Sequence, residues 1–421
     1  AKRDMHYEME QEEHDVYPDD PDFDINKARL VTTAPRICVR YECVPMRFIK
    51  HVYKIHTYAQ DGRLFEGKTP VSAFLNSSYD GSFIAGLMEL RYIQSLPVER
   101  IINYFESHGF TLKKPTAHKL MEKASSLFEN LYKCIRQTAL SDPYKAADET
   151  YYKILVPEKN SKGKGVRKGY LWVVVGINTR MIYLLYDDGS RSEKVILNEL
   201  GGCKGIIQSD GYSPYRKLES DAYPHITRIP CLQHIKRKFI DCGEDDPDAK
   251  RIVEMINTLY QNEHKHKIGV DGWTVEQNLV HRKKYAPDIL GEIKDVLDDI
   301  EERGDLLPKS ELKEAITYLR NEWNAVVDIF NYGDTYLDNN MVERMNRYIS
   351  LSRKNSLFFG SHKGAERGAI LYTIALTCRM NKVNLFEYLT DVINRTAEWQ
   401  PNTPLEKYRL LLPDRWEKAN D

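Results

Sequence analysis

The seven cysteines in 421 residues, at positions 38, 43, 134, 203, 231, 242 and 378, include no CxxC pair. Their odd number and scattered spacing argue against a disulfide framework and for free thiols in a reducing compartment. Long apolar runs are also missing. YLWVVVGI at 170–177 falls well short of the roughly 18 residues that span a bilayer, so no membrane partner is expected. No secretory leader is recognisable, and Ala1 in place of Met fits the removal of an upstream segment. Neither sign of charge dominates. With 61 Lys and Arg against 62 Asp and Glu, the net charge is −1, so any polyanion must be met by local basic patches. KGKGVRKG at 162–169 lacks a Walker pattern, because no strand leads directly into a helix there. It reads as a basic loop that can touch phosphate. No internal repeat is present.

What is there is a globular composition, with 42% hydrophobic and 29% charged residues, long enough for two to four units. Ten acids against Lys2 and Arg3 in residues 1–24 mark 1–35 as an acidic arm without a core of its own. Residues 36–71 alternate apolar and basic side chains and read as short strands. Residues 72–139 switch to helical periodicity. LPVERIINYFESHG (96–109) has Pro97 near its start and Gly109 at its stop, and KKPTAHKLMEKASSLFENLYKCI (113–135) reads as one further helix. The turn between them fits a helix-turn-helix and a plain helical hairpin equally. In the first case Lys113, Lys114 and Lys119 are the DNA contacts.

Three strand-like runs follow: DETYYKILV, YLWVVVGI and MIYLLYDD. After them come a short helix in SEKVILNELGG, a fourth strand in KGIIQSD and a fifth in HITRIPC. The order predicts a mixed α/β core over 140–240, with a meander in its sheet. Residues 241–335 carry helical stripes such as Ile252, Met255, Ile256 and Leu259, and 336–400 return to the core ahead of a tail at 401–421.

Asp210 ends the fourth strand and is followed at once by Gly211, while Asp148 lies near the start of the first, 62 residues earlier. If those strands are neighbours, the two carboxylates approach one another, and their repulsion calls for a shared proton or a divalent cation. Mg²⁺ is the usual choice beside phosphate. A third acid, Glu343, opens a helix in a segment where six Lys and Arg fall between 344 and 367. The plainer readings are a turn at Asp210, a surface acid at Asp148 and a capping box in Asn340-x-x-Glu343. Cys231-x-x-His234 is half of a zinc site. Cys242 and His225 complete it only without supporting spacing, so a buried thiol and a polar histidine are the preferred reading and structural zinc is not expected.

These blocks, with IIQSDGYSPY, CLQHIKRKF and LDNNMVERMNRYISLSRKNSLFFGSHKGAERG, resemble in family order the bacterial insertion sequence 66 transposases, from about residue 72 to LLPDRW near 416. The resemblance implies a DDE transposase with an RNase H-like core and an acidic triad at Asp148, Asp210 and Glu343. These residues would hold two Mg²⁺ or Mn²⁺ ions for DNA cleavage and strand transfer. It also implies a helical insertion between Asp210 and Glu343, double-stranded DNA as partner, and a homodimer or higher oligomer on DNA. Accessory proteins of the same element and a cytoplasmic, nucleoid-associated location follow from it too. Arg344, Arg347, Arg353 and Lys354 become candidate backbone contacts. The family's cysteine-rich segment is reduced here to Cys38 and Cys43. Two alternatives share the fold: a catalytically silent DNA-binding protein, and a nuclease that cuts without joining.

Overall fold

Val173, Val174 and Val175 have no exposed surface, and the strand that carries them is the second of a five-stranded sheet around which the chain is built. The computed structural model describes residues 11–44, 47–74, 77–159, 163, 165–243, 245–304, 306–400 and 402–418. For Cys43 and Val44 the backbone alone is described, so the Cys43 thiol of the reduced cysteine-rich segment lies outside the described side chains.

The first six strands form two small sheets. β1 (Gln11–Val16) runs parallel to β4 (Arg47–Ile55), which pairs antiparallel with β3 (Arg36–Val44). β2 (Arg29–Leu30), β5 (Thr57–Gln60) and β6 (Arg63–Glu66) make the other. The acidic segment is therefore not a detached arm over Gln11–Val16. Its acids meet side chains on β4 and just after it: Glu13 pairs with Lys54, and Asp15 Oδ1 lies 2.8 Å from His56 Nε2.

A helical unit follows: α1 (Gly81–Met88), a π-helical turn at Glu89–Ile93, α2 (Val98–Ser107), α3 (Lys114–Leu127) and α4 (Glu129–Ser141). The single helix expected over 113–135 is two helices, broken at the buried Phe128. Its apolar periodicity runs through the break, which is why the pattern hides it.

The central sheet contains β7 (Tyr144–Leu155), β8 (Val166–Gly176), β9 (Met181–Leu185), β10 (Gly205–Ser209) and β11 (Ile226–Pro230), in the order β11-β10-β7-β8-β9. β7, β8 and β9 form an antiparallel meander, β10 pairs parallel with β7, and β11 pairs parallel with β10. α5 (Glu193–Leu200) makes the return to β10, capped by the Ser192 side chain. α6 (Ser213–Arg216) and α7 (Leu232–Ile240) flank β11. β7 begins at Tyr144 rather than at Asp148, so Asp148 sits inside the strand.

Beyond α7 the chain is helical, with α8 (Pro247–Glu263) packed on α7, α9 (Val275–Arg303) on α8, and α10 (Glu311–Ile329) on α7 and β11. α9 opens with a capping box from Thr274 and Gln277 and stops at Gly304, whose φ of +68° favours glycine. The chain returns with α11 (Asn340–Ser356), α12 (His362–Met380), α13 (Leu385–Thr396) and α14 (Leu405–Arg409). α12 covers the free edge of β9. Thr373 Oγ1 accepts from Leu184 N at 2.9 Å and Thr377 Oγ1 donates to Ile182 O at 2.8 Å, so the edge has partners. No described helix is long and apolar enough to cross a membrane.

Candidate active site

Parallel register brings the first two acids together. Ala146 faces Gln208 across β7 and β10 in the last pair of that ladder, and Asp148 and Asp210 each lie two residues beyond it, near enough for the Asp210 charge to act on Asp148. Burial, reinforced by the negative charges of Asp210 and Glu149, pushes the Asp148 carboxyl up to about 7. Two hydrogen bonds oppose that rise. Glu149 N donates to Asp148 Oδ1 at 2.8 Å, and Asn346 Nδ2 donates to Asp148 Oδ2 at 2.6 Å. Glu149 is not a loose surface neighbour: Arg191 Nε binds its carboxylate at 3.1 Å.

Asp210 is held by its backbone. Arg228, fully buried on β11, donates from Nη2 to Asp210 O at 2.7 Å and to Glu322 Oε2 of α10 at 2.5 Å. The Asp210 carboxylate accepts from Tyr212 N at 3.1 Å, as in an Asx turn. Gly211 N donates to Tyr318 Oη at 2.8 Å, and a Cβ on Gly211 would sit 2.5 Å from that oxygen. Glycine is thus needed because an insertion helix comes close, not because the backbone is left-handed. A cleft of about 350 Å³ opens here, lined by Asp210, Arg191, His234, Arg237, Lys238 and Tyr318.

Glu343 arrives on the first turn of α11, which packs along β7. The capping box read from the sequence does not form. The N-cap is Asn339, and its side chain donates to Ala147 O at 3.1 Å instead. Glu343 lies one helical turn before Asn346, the partner of Asp148. Its Oε1 lies 3.7 Å from His234 Nε2. Among the described residues, Cys231, His234 and Glu343 form a group whose ligand atoms all lie within 4.8 Å of one another. Asp148, Asp210 and Glu343 do not form such a group. The structure therefore sets Asp148 within reach of the Asp210 charge and turns the glutamate toward α7. The zinc completions considered from sequence, Cys242 and His225, are outside the group, and Glu343 takes their place.

The basic candidates divide. Arg344, Arg347 and Lys354 are exposed along α11, as are Lys113 and Lys119 around the start of α3. Arg353 is committed to the fold: Nη1 donates to Tyr151 O at 2.6 Å and the guanidinium stacks 3.9 Å over the Tyr151 ring. Lys114 pairs with Glu99 of α2. Asn346, Arg228 and Tyr318 were not singled out by sequence. Only Asn346 left a trace there, in its i+3 spacing from Glu343.

Three curated proteins of Sinorhizobium fredii (strain NBRC 101917 / NGR234) are similar to this chain. Uncharacterized protein y4jD is 25% identical over 79% of the chain and 65% of its own length. Uncharacterized protein y4hP is 24% identical over 94% and 76%, and uncharacterized protein y4qI is 26% identical over 87% and 69%. The chain thus spans just under two thirds of y4jD. The sequence pattern of the Transposase IS66 family matches residues 76–367, a stretch that holds Asp148, Asp210, Asn346 and Glu343 together with the central sheet; the chain belongs to that family of transposases.

Proposed function

We propose that the chain is a DDE transposase with an RNase H-like core, which cleaves transposon ends and joins them to target DNA using divalent metal ions. The strand order, a three-stranded meander extended by two parallel strands beside its first member, supports the core assignment. The observation that carries the reading is the pairing of β7 with β10, which leaves Asp148 under the charge of Asp210, with the helix of Glu343 reaching Asp148 through Asn346.

The donor set fits Mg²⁺ or Mn²⁺. Asp148 and Asp210 offer hard oxygens, and the pKa of Asp148, raised by burial first and by the Asp210 and Glu149 charges after it, shows a carboxylate that a divalent cation would stabilise. Bound there, such ions would supply Lewis-acid activation of the attacking oxygen and neutralise the leaving oxygen. The protein's own part is positional. Arg228 and Tyr318 fix the turn that carries Asp210, Asn346 fixes the Asp148 carboxylate, and Glu343 supplies the third acid from a helix whose exposed cations face the DNA backbone. Helices α2 and α3, joined by a turn containing Gly109 at φ +82°, serve as the end-binding unit in this reading.

The test is a cleavage and joining assay on cognate ends with Mg²⁺ or Mn²⁺. Asp148→Asn, Asp210→Asn and Glu343→Gln should each abolish both steps while DNA binding persists. Near-normal joining by any one of them removes that residue from the site. Nicks without joined products from the unaltered protein would make it a nuclease.

A further inference from the structure

The Glu343 carboxylate has a second set of neighbours, and their chemistry is not that of the aspartates. Cys231 is the N-cap of α7 and is 1% exposed. Its Sγ accepts from Asn339 N at 3.2 Å; burial pushes the thiol up to about 12, and the backbone amides of Asn339, His234 and Gln233 offset only part of that rise. A thiol buried in this way keeps its proton until a cation takes the proton's place. His234 lies on the same first turn. Among the described residues, His234 Nδ1 and Glu343 Oε1 are buried polar atoms without a hydrogen-bond partner. Buried polar atoms left so are uncommon and call for an explanation.

We infer that Cys231, His234 and Glu343 form a binding site for a thiophilic divalent cation of the Zn²⁺ class, separate from the aspartate pair, and that the bound ion holds Glu343 away from that pair. The ligand atoms lie within 4.8 Å of one another, close enough to converge on one tetrahedral ion with small side-chain adjustments. Thiolate and imidazole select Zn²⁺ over Mg²⁺, which prefers oxygen. On binding, the thiol gives its proton to solvent and the sulfur bonds to the metal, and the fourth position stays open to water. The site's existence stands on these residues alone. Its inhibitory consequence rests on the reading of Glu343 as the third catalytic acid, since one carboxylate cannot serve both donor sets at once.

The experiment uses the full chain, stripped of metal and titrated with Co²⁺ as a spectroscopic probe. The expected result is a thiolate-to-cobalt charge-transfer band with tetrahedral d–d absorption, saturating at about one equivalent and displaced by Zn²⁺. The band should be lost in Cys231→Ser and, as a second and more exposed change, in His234→Gln, and kept in Asp148→Asn. A folded protein that gives no thiolate band, or a band that survives Cys231→Ser, overturns the site. In the Mg²⁺-driven cleavage assay, one equivalent of Zn²⁺ should lower the unaltered protein's rate about tenfold or more and leave the Cys231→Ser rate within about twofold of its own zinc-free value. A correct cobalt spectrum with zinc-insensitive cleavage overturns the inhibitory role. A protein that binds cobalt as described yet never cleaves DNA sinks the transposase mechanism and leaves the metal site standing.

Discussion

Asn346 Nδ2 lies 2.6 Å from Asp148 Oδ2 and so ties α11 to the middle of β7 at the most perturbed carboxyl of the site. The contact does two things. It orients one Asp148 oxygen, leaving the carboxylate in a single pose, and it lowers a pKa that burial and Asp210 raise. Asn346→Ala removes both effects. Groups that orient a metal-binding carboxylate are worth about 10- to 100-fold in metal affinity or activity. A loss of that size in Mg²⁺-dependent cleavage is expected, with the acid limb of the pH–rate profile moved to higher pH. A lower rate with an unmoved pH profile would mean that Asn346 only packs.

The Asp148 carboxyl also sets a pH dependence of stability. Its folded pKa of about 7 exceeds the ordinary 3.8, so the folded state holds the proton more tightly than the unfolded one. The stabilising share is complete below pH 4 and is lost as the pH rises through 7. In metal-free protein, Asp148→Asn should therefore match the unaltered melting temperature near pH 4 and exceed it above pH 7. The gap should be on the order of 4 kcal/mol, several degrees for a chain of this size. Saturating Mg²⁺ should stabilise the unaltered protein and close part of the gap. A gap of equal size at pH 4 and pH 8 would disconnect it from ionisation.

Gly211 and Tyr318 form a tight backbone-to-ring contact whose cost can be isolated. A Cβ at position 211 would lie 2.5–2.6 Å from three Tyr318 atoms, too close for either group to stay in place. Gly211→Ala should destabilise the fold by about 1–3 kcal/mol, the usual range for overpacking, and shift the Asp210 turn. In a Tyr318→Ala background the added methyl group has room, so the same change should cost little. Equal costs in the two backgrounds, measured by denaturant unfolding, would place the strain elsewhere.

Much of this arrangement was written in local patterns. The meander, the return to β10 and the helical insertion announce themselves through β-branched runs such as Val173–Val175, through Gly201 after α5 and through the Ile252–Leu259 stripe. Asp210 at a strand end needed only its own neighbours to be noticed. Register was another matter. Ala146 and Ala147 are weak strand formers, so nothing in the sequence extends β7 back to Tyr144, where it pairs with β10 and so brings Asp148 near the strand that leads into Asp210. Asn346 reads as one more polar residue on a wet helix face until α11 is laid against β7. The third neighbour of Cys231 and His234 comes from more than a hundred residues downstream, and no spacing rule reaches that far.

The exposed cations offer a last prediction, in which structure separates residues that the sequence treats alike. Counterion release makes each phosphate contact worth about 0.9 in the slope of log affinity against log salt. Arg344, Arg347 and Lys354 are exposed, so replacing each with Gln should weaken DNA binding and flatten that slope by about 0.9 per true contact. Arg353 spends its guanidinium on Tyr151, so Arg353→Gln should lower the melting temperature and leave the slope nearly unchanged. Around α3 the same logic ranks Lys113 and Lys119 above Lys114, whose charge already faces Glu99. If α2 and α3 form the proposed end-binding unit, Lys113→Glu with Lys119→Glu should reduce binding to transposon ends more than binding to unrelated duplex. Equal losses on both DNAs would make α2 and α3 a helical hairpin with no part in recognition. A slope that changes with Arg353 and not with Arg344 or Arg347 would put the DNA on the other side of α11.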